Sequence, residues 1–85
     1  MKDDRVFIRH ILDEIAFIIK ESRDLNYEDL VSNETLKRAV VRSLEIIGEA
    51  TKNLSEDFRK KYSDVEWREL AGLRDKLLHH YFSIN

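Results

Sequence analysis

Cysteine and proline are both absent from this chain. Without cysteine there is no disulfide to staple a small fold and no thiolate to hold a metal. The absence fits a reducing compartment, and a cytoplasmic location is the expectation. With no proline and only two glycines, Gly48 and Gly72, few positions force the backbone out of a helix. Long apolar runs are missing too. No window approaches the roughly 18 uninterrupted apolar residues that a membrane span needs. The amino terminus does not read as a signal peptide, because Asp3 and Asp4 come early and Asp13 and Glu14 interrupt the apolar pattern. An excess of positive charge is likewise lacking. At a formal net charge of -2, the chain has no footprint of a protein that coats nucleic acid non-specifically.

What is present is charge in quantity, unevenly placed. Charged residues make up 38% of the chain. Residues 1–35 carry five Lys/Arg against nine Asp/Glu, and residues 36–85 carry ten against eight. The balance moves from -4 to +2, so a polyanion-handling surface is expected in the second part. The length of 85 residues allows one domain, 1–85, with a small core. At that size folding buries about 60–65% of the chain's surface, and a single core supplies roughly 3–5 kcal/mol. Self-association is one remedy that remains once disulfides are excluded.

Apolar residues recur at helical spacing along the whole chain. From about Asp4 to Arg23 they are Phe7 or Ile8, Ile11, Leu12, Ile15, Ile18 and Ile19, with Asp3 or Asp4 as cap. Val6, Ala16 and Phe17 widen that stripe and predict contact with two neighbours. Leu25 to Ser32 breaks the period, and Asn26 with Asp29 could cap a short turn carrying Tyr27 and Leu30. Ser32 or Asn33 then caps a second long helix through Leu36, Ala39, Val40, Leu44, Ile47, Ala50 and Leu54. Gly48 in its middle costs about 1 kcal/mol relative to alanine. Either a close helix crossing or simple tolerance would account for it. Ser55 caps a short helix reaching Tyr62, whose last turn holds Arg59, Lys60 and Lys61. The helix dipole explains that basic run, and phosphate contact is the alternative. Ser63 or Asp64 starts the last helix, with Trp67, Leu70, Ala71, Leu73, Leu77 and Leu78 as its apolar set. The expected fold class is all-α, an antiparallel bundle of three main helices plus a short one.

Chemistry concentrates in Arg74-Asp75-Lys76-Leu77-Leu78-His79-His80-Tyr81. An always-cationic guanidinium near a group that titrates around neutrality suits phosphodiester chemistry. Taken alone, an arginine and a histidine at a helix end more often serve the dipole and solubility. At about 100° per residue, Arg74 and Tyr81 fall within roughly 20° of each other, whereas Arg74 and His79 stand about 140° apart. The arginine and histidine therefore meet only if the helix ends or kinks near His79, or if a twofold dimer brings two copies together. Arg38 and Arg42, one turn apart, are further candidates for phosphate contact, and Glu45 and Glu49 could pair with such arginines. His10 has no assigned role, His80 is expected to be exposed, and no ligand spacing suggests a metal.

A longer ordered string surrounds the motif: Leu44-Glu45-Ile46-Ile47-Gly48-Glu49-Ala50, Leu54-Ser55-Glu56, Trp67-Arg68-Glu69-Leu70-Ala71-Gly72-Leu73-Arg74 and Leu77-Leu78-His79-His80-Tyr81-Phe82. Together these closely resemble the HEPN superfamily in its HepT-like toxin branch, from about residue 4 to residue 85. The signature Arg-x4-His-x-Tyr is complete in Arg74, His79 and Tyr81, and Asp75 stands where this branch commonly has Asn. The resemblance implies an HEPN-like helical fold and a metal-independent ribonuclease, without cofactor, acting on RNA as a homodimer. Arg74 and His79 would be catalytic and Asp75 supporting. It also implies a toxin–antitoxin pair, the partner being an MntA-type minimal nucleotidyltransferase that silences the toxin by AMPylation of Tyr81. Family members usually continue past the motif with an acidic residue and a final helix. A carboxyl-terminally short domain with an open apolar groove between its first and last helices is therefore expected, and with it stronger self-association. A catalytically silent HEPN module that binds a nucleotidyltransferase partner or nucleotide is the alternative.

Overall fold

Local capping decides where most helices begin. In the computed structural model, which describes residues 3–80, α1 spans Asp4–Ser22. Its cap is Asp3, whose carboxylate accepts from the Arg5 amide at 2.9 Å and from the Arg5 guanidinium at 3.0 Å. The short turn expected after Leu25 is a helix in its own right, α2 at Tyr27–Ser32. A reciprocal capping box makes it so. Asn26 Oδ1 accepts from the Asp29 amide at 2.8 Å, and Asp29 Oδ2 accepts from the Asn26 amide at 3.3 Å. Asn33, not Ser32, caps α3 (Glu34–Asn53) through the Leu36 amide at 2.9 Å. Ser55 caps α4 (Glu56–Lys61) through the Phe58 amide at 3.1 Å.

The end of the chain departs from expectation. The last helix does not start at Ser63 or Asp64 and is not one piece. It consists of α5 (Trp67–Ala71) and α6 (Leu73–His80), separated at Gly72. Trp67 is responsible for the late start. Its indole Nε1–H donates to the carbonyls of Tyr62 at 3.0 Å and Arg59 at 3.2 Å, closing the end of α4. Residues 62–66 are thereby held in turns, with the Val65 amide donating to Tyr62 O at 3.1 Å. The all-α expectation holds, and no strand occurs among the described residues. Among the described residues two helices are long and four are short.

Helix α3 is the axis of the molecule, packing against α1, α2, α5 and α6. One face of it supplies most of the core: Val40, Leu44, Ile47, Ala50 and, at its end, Leu54 are buried, with Ile11 arriving from α1. Full burial of a side chain such as Ile47 stabilises by about 1.5–3 kcal/mol. Thr51 is buried on the same face, its hydroxyl satisfied by Ile47 O at 2.7 Å. Asp4 adds a long-range tie, accepting from the Ser55 amide at 2.8 Å and the Ser55 hydroxyl at 2.7 Å.

Of the two neighbours expected for α1, one is in extensive contact among the described residues. Its one extensive partner is α3, and the residues that widen its stripe stay outside. Val6 and Phe17 are exposed, as are Leu12 and Ile19 at 55% each. The molecule measures 41 × 25 × 22 Å, about two helix diameters across, so one thin layer cannot enclose a wide stripe. An apolar groove of about 410 Å³ lies between the first and last helices, lined by Ile18, Leu30, Val40, Leu44, Leu73 and Leu77. Among the described residues no helix is long and apolar enough to cross a membrane.

Candidate active site around Arg74

Two glycines shape the pocket in which Arg74 sits. Gly48 lets α5 come close to α3: a Cβ there would lie 3.0 Å from the Ala71 carbonyl oxygen. The close-crossing explanation of this glycine is the one the geometry supports. Gly72 ends α5, its amide reaching Arg68 O and Glu69 O, while its own carbonyl receives the Lys76 amide as α6 begins. The chain therefore turns into α6 directly above α3. Arg74 enters a cleft of about 210 Å³ lined by Arg42, Glu45, Glu49 and Lys52 of α3 and by Asp75 beside it.

The guanidinium is held by carboxylates on two sides. Arg74 Nη1 donates to Asp75 Oδ1 at 3.0 Å. Its Nε faces Glu45 Oε2 at 3.7 Å, an ion-pair distance too long for a hydrogen bond, and is shielded from water without an acceptor. The side chain is 43% exposed, so part of the guanidinium reaches solvent. Three cations and three carboxylates line this cleft, which makes it charge-balanced rather than strongly basic.

The candidates separate when they are placed. Arg42 shares the Arg74 cleft, whereas Arg38 does not line it and is turned toward Glu34, Nε to Oε2 at 3.5 Å. Glu45 and Glu49 do not pair with those arginines as expected. Glu45 faces Arg74 across the helix contact, and Glu49 faces Lys52 at 3.9 Å. His79 is exposed on α6 and does not line the Arg74 cleft. Helix α6 runs without interruption from Leu73 to His80, so no kink swings the imidazole back toward Arg74 before that point. Within one chain the pair diverges. Tyr81 lies outside the described residues. His10 packs edge-on against Phe7 and stays out of the cleft. Among the described residues no three carboxylate or imidazole groups converge as metal ligands would.

A second groove, of about 690 Å³, adjoins the first and shares Lys52 and Ala71 with it. Arg59, Lys60, Trp67 and Arg68 lie along it. Here the basic run at the end of α4 divides: Lys60 pairs with Glu56 at 3.2 Å and Lys61 sits over the Tyr62 ring, but Arg59 does neither.

Comparison with known proteins bears on the same stretch. A family model described as "Ribonuclease HepT-like" matches residues 11–85. A protein of Caldanaerobacter subterraneus subsp. tengcongensis, named "Putative RNase", is 53% identical over 85 residues, covering 100% of this chain and 76% of that relative. A Methanocaldococcus jannaschii protein with the same style of name is 49% identical over 84 residues, 99% of this chain and 69% of its own length. A Thermococcus cleftensis protein named "Probable ribonuclease HepT" is 39% identical over 79 residues, 93% of this chain and 72% of that relative. No solved structure gives a significant match.

Proposed function

The chain belongs to the HepT-like ribonuclease family, and from that premise we propose that it is a metal-independent endoribonuclease acting as a twofold homodimer. The observation that carries the reading is the state of Arg74: half-exposed, oriented by Asp75 and Glu45, with an Nε–H that lacks an acceptor. A scissile phosphate could replace the Asp75 contact at small cost, because an exposed ion pair is worth about 0–1 kcal/mol. Charge-assisted, bidentate hydrogen bonds to phosphate are stronger than that.

The chemistry asks two things of the protein. Neutral His79 takes the proton of a ribose 2′-hydroxyl, whose oxygen attacks phosphorus while the 5′-oxygen departs and is protonated in turn. Arg74 binds the equatorial oxygens as negative charge grows on them. Arginine and histidine diverge on one regular α6, so the reading places Arg74 of one copy beside His79 of the other. The uncovered apolar residues Leu12 and Ile19 and the open groove of Leu73 and Leu77 supply apolar surface for self-association.

In this reading the protein is the toxin of a toxin–antitoxin pair, and an MntA-type minimal nucleotidyltransferase transfers AMP to Tyr81. Two residues from His79, AMP would place a bulky anion at the cleft and exclude RNA phosphate sterically and electrostatically. Purified protein incubated with cellular RNA tests the core of it. His79→Ala and Arg74→Ala are each expected to slow cleavage by about 10²–10⁴-fold. Equal cleavage by all three proteins, or by none, overturns the reading.

One observation favours a second reading. The charge-balanced cleft around Arg74, with Asp75, Glu45 and Glu49 beside it, suits a catalytically silent module that binds a nucleotidyltransferase partner or nucleotide. Complex formation without growth arrest on overexpression would favour that module. Growth arrest abolished by His79→Ala would eliminate it.

A further inference from the structure

The groove beside the Arg74 cleft contains two guanidinium groups that no carboxylate among the described residues neutralises. Arg59 and Arg68 have no carboxylate partner among the described residues, and Arg59 Nε is shielded from water without an acceptor. Lys60, on the same lining, is matched by Glu56, and away from the groove Lys37 and Arg38 are matched by Glu34 and Lys76 by Glu69. Trp67 shares the lining, half-buried, with its ring packed edge-on against Phe58 and its N–H committed to the Arg59 and Tyr62 carbonyls. The groove adjoins the Arg74 cleft, sharing Lys52 and Ala71 with it, so a strand laid along one lies next to the other. Glu56 is the acidic residue on its lining, and Lys60 already occupies it.

We propose that this α4–α5 groove is an exosite for single-stranded RNA, Arg59 and Arg68 gripping backbone phosphates that flank the one held at Arg74, with the Trp67 ring as a platform for a base. Guanidinium forks match phosphate oxygens in geometry, and an aromatic ring among cations is the usual arrangement for holding a single strand without reading its sequence. An acidic protein would satisfy the arginines but would leave unexplained both the ring and the position beside the cleft. The assignment rests on the ribonuclease reading for its choice of RNA, but binding can be measured without cleavage.

The probe is a fluorescent 2′-O-methyl RNA of about 12 nucleotides, a length within the range one such site covers. It lacks the 2′-hydroxyl and cannot be cut. Anisotropy titrations across a salt series would compare the intact chain with the Arg59→Gln/Arg68→Gln variant and with Arg23→Gln, which removes a charge from beyond the end of α1. The double variant should bind severalfold more weakly, and its log–log salt slope should be shallower by about 1.4, two contacts at roughly 0.7 each. Arg23→Gln should bind as the intact chain does. Circular dichroism confirms that the helices are kept. An unchanged slope in the double variant overturns the proposal, as does poly-glutamate competing as well as RNA does. If the intact protein cleaves no RNA yet the slope falls as expected, the ribonuclease reading fails and the exosite stands.

Discussion

Replacing Gly48 by alanine sets two effects of known sign against each other. In a helix interior, alanine is favoured over glycine by about 1 kcal/mol. At Gly48 the new Cβ would lie 3.0 Å from Ala71 O, a backbone atom that cannot rotate away. Relief requires α5 to retreat by a few tenths of an ångström, and overpacking of this kind costs about 1–3 kcal/mol. The net is a destabilisation of about 0–2 kcal/mol. Gly72→Ala provides the contrast. Its Cβ would meet nothing nearer than Arg68 O at 3.6 Å, and its φ of -98° suits any residue. Alanine there should stabilise by about 0.4–1 kcal/mol through the unfolded chain. For a domain of this size each kcal/mol moves Tm by about 4–8 °C. Thermal unfolding followed by circular dichroism, at one protein concentration because association would raise Tm, reads both. Gly48→Ala should leave Tm level or lower it while Gly72→Ala raises it. A rise of about 4–8 °C for Gly48→Ala would mean that the propensity gain went unopposed, and the tight α3–α5 crossing would be refuted.

Two further substitutions probe the start of α1. Asp4→Ala removes both acceptors of Ser55, and the loss should be about 1–2 kcal/mol, measured by urea unfolding. Asp3→Asn should keep the cap and abolish a pH effect. The Asp3 carboxyl is held below its usual value by the Arg5 side chain and then by the Arg5 amide. A depressed carboxylate contributes stability that is present above its unfolded pKa, near 3.9, and is lost as pH falls through its lowered folded value. Acid unfolding of the intact chain should therefore show a component below about pH 4 that Asp3→Asn lacks. Identical acid profiles would contradict it.

How much of this was legible depended on distance along the chain. Caps at Asp3, Asn26, Asn33 and Ser55 act on amides two or three residues away, so composition and order sufficed to find them. Ser63 and Asp64 looked like equally good caps and were misleading, because the Trp67 indole reaches back to Tyr62 and Arg59 and holds the intervening residues in turns. That is tertiary structure overriding a local preference. Asp4 with Ser55 is a contact across 51 residues, and Glu45 with Arg74 joins two helices, so no local pattern announces either. The wide apolar stripe of α1 is apolar as read, but among the described residues Val6, Leu12, Phe17 and Ile19 stay exposed. Periodicity gives the width of a face but not which elements pack on it. In the site itself, Arg74 was visible as a residue, yet its engagement by Glu45 and Asp75 and the unpaired state of Arg59 required the fold.

The uninterrupted α6 leaves one strong demand on the proposed mechanism. Arg74 and His79 differ by about 140° around the same helix, so they point to different sides of it, and the proposed mechanism brings them together through a second chain. Twofold symmetry would supply two equivalent clefts, each with the arginine of one copy and the histidine of its partner. Mixing single mutants separates the possibilities. An equimolar mixture of Arg74→Ala and His79→Ala chains, denatured and refolded together, forms heterodimers as about half of its dimers. If the pair works across the interface, each heterodimer has one cleft with both defects and one with neither, and the mixture recovers about a quarter of wild-type activity. If the pair works within a chain, every cleft is damaged and recovery is nil. Recovery near a quarter would support the crossed arrangement, and its absence, with heterodimers demonstrated by native mass spectrometry, would remove the homodimeric site from the mechanism.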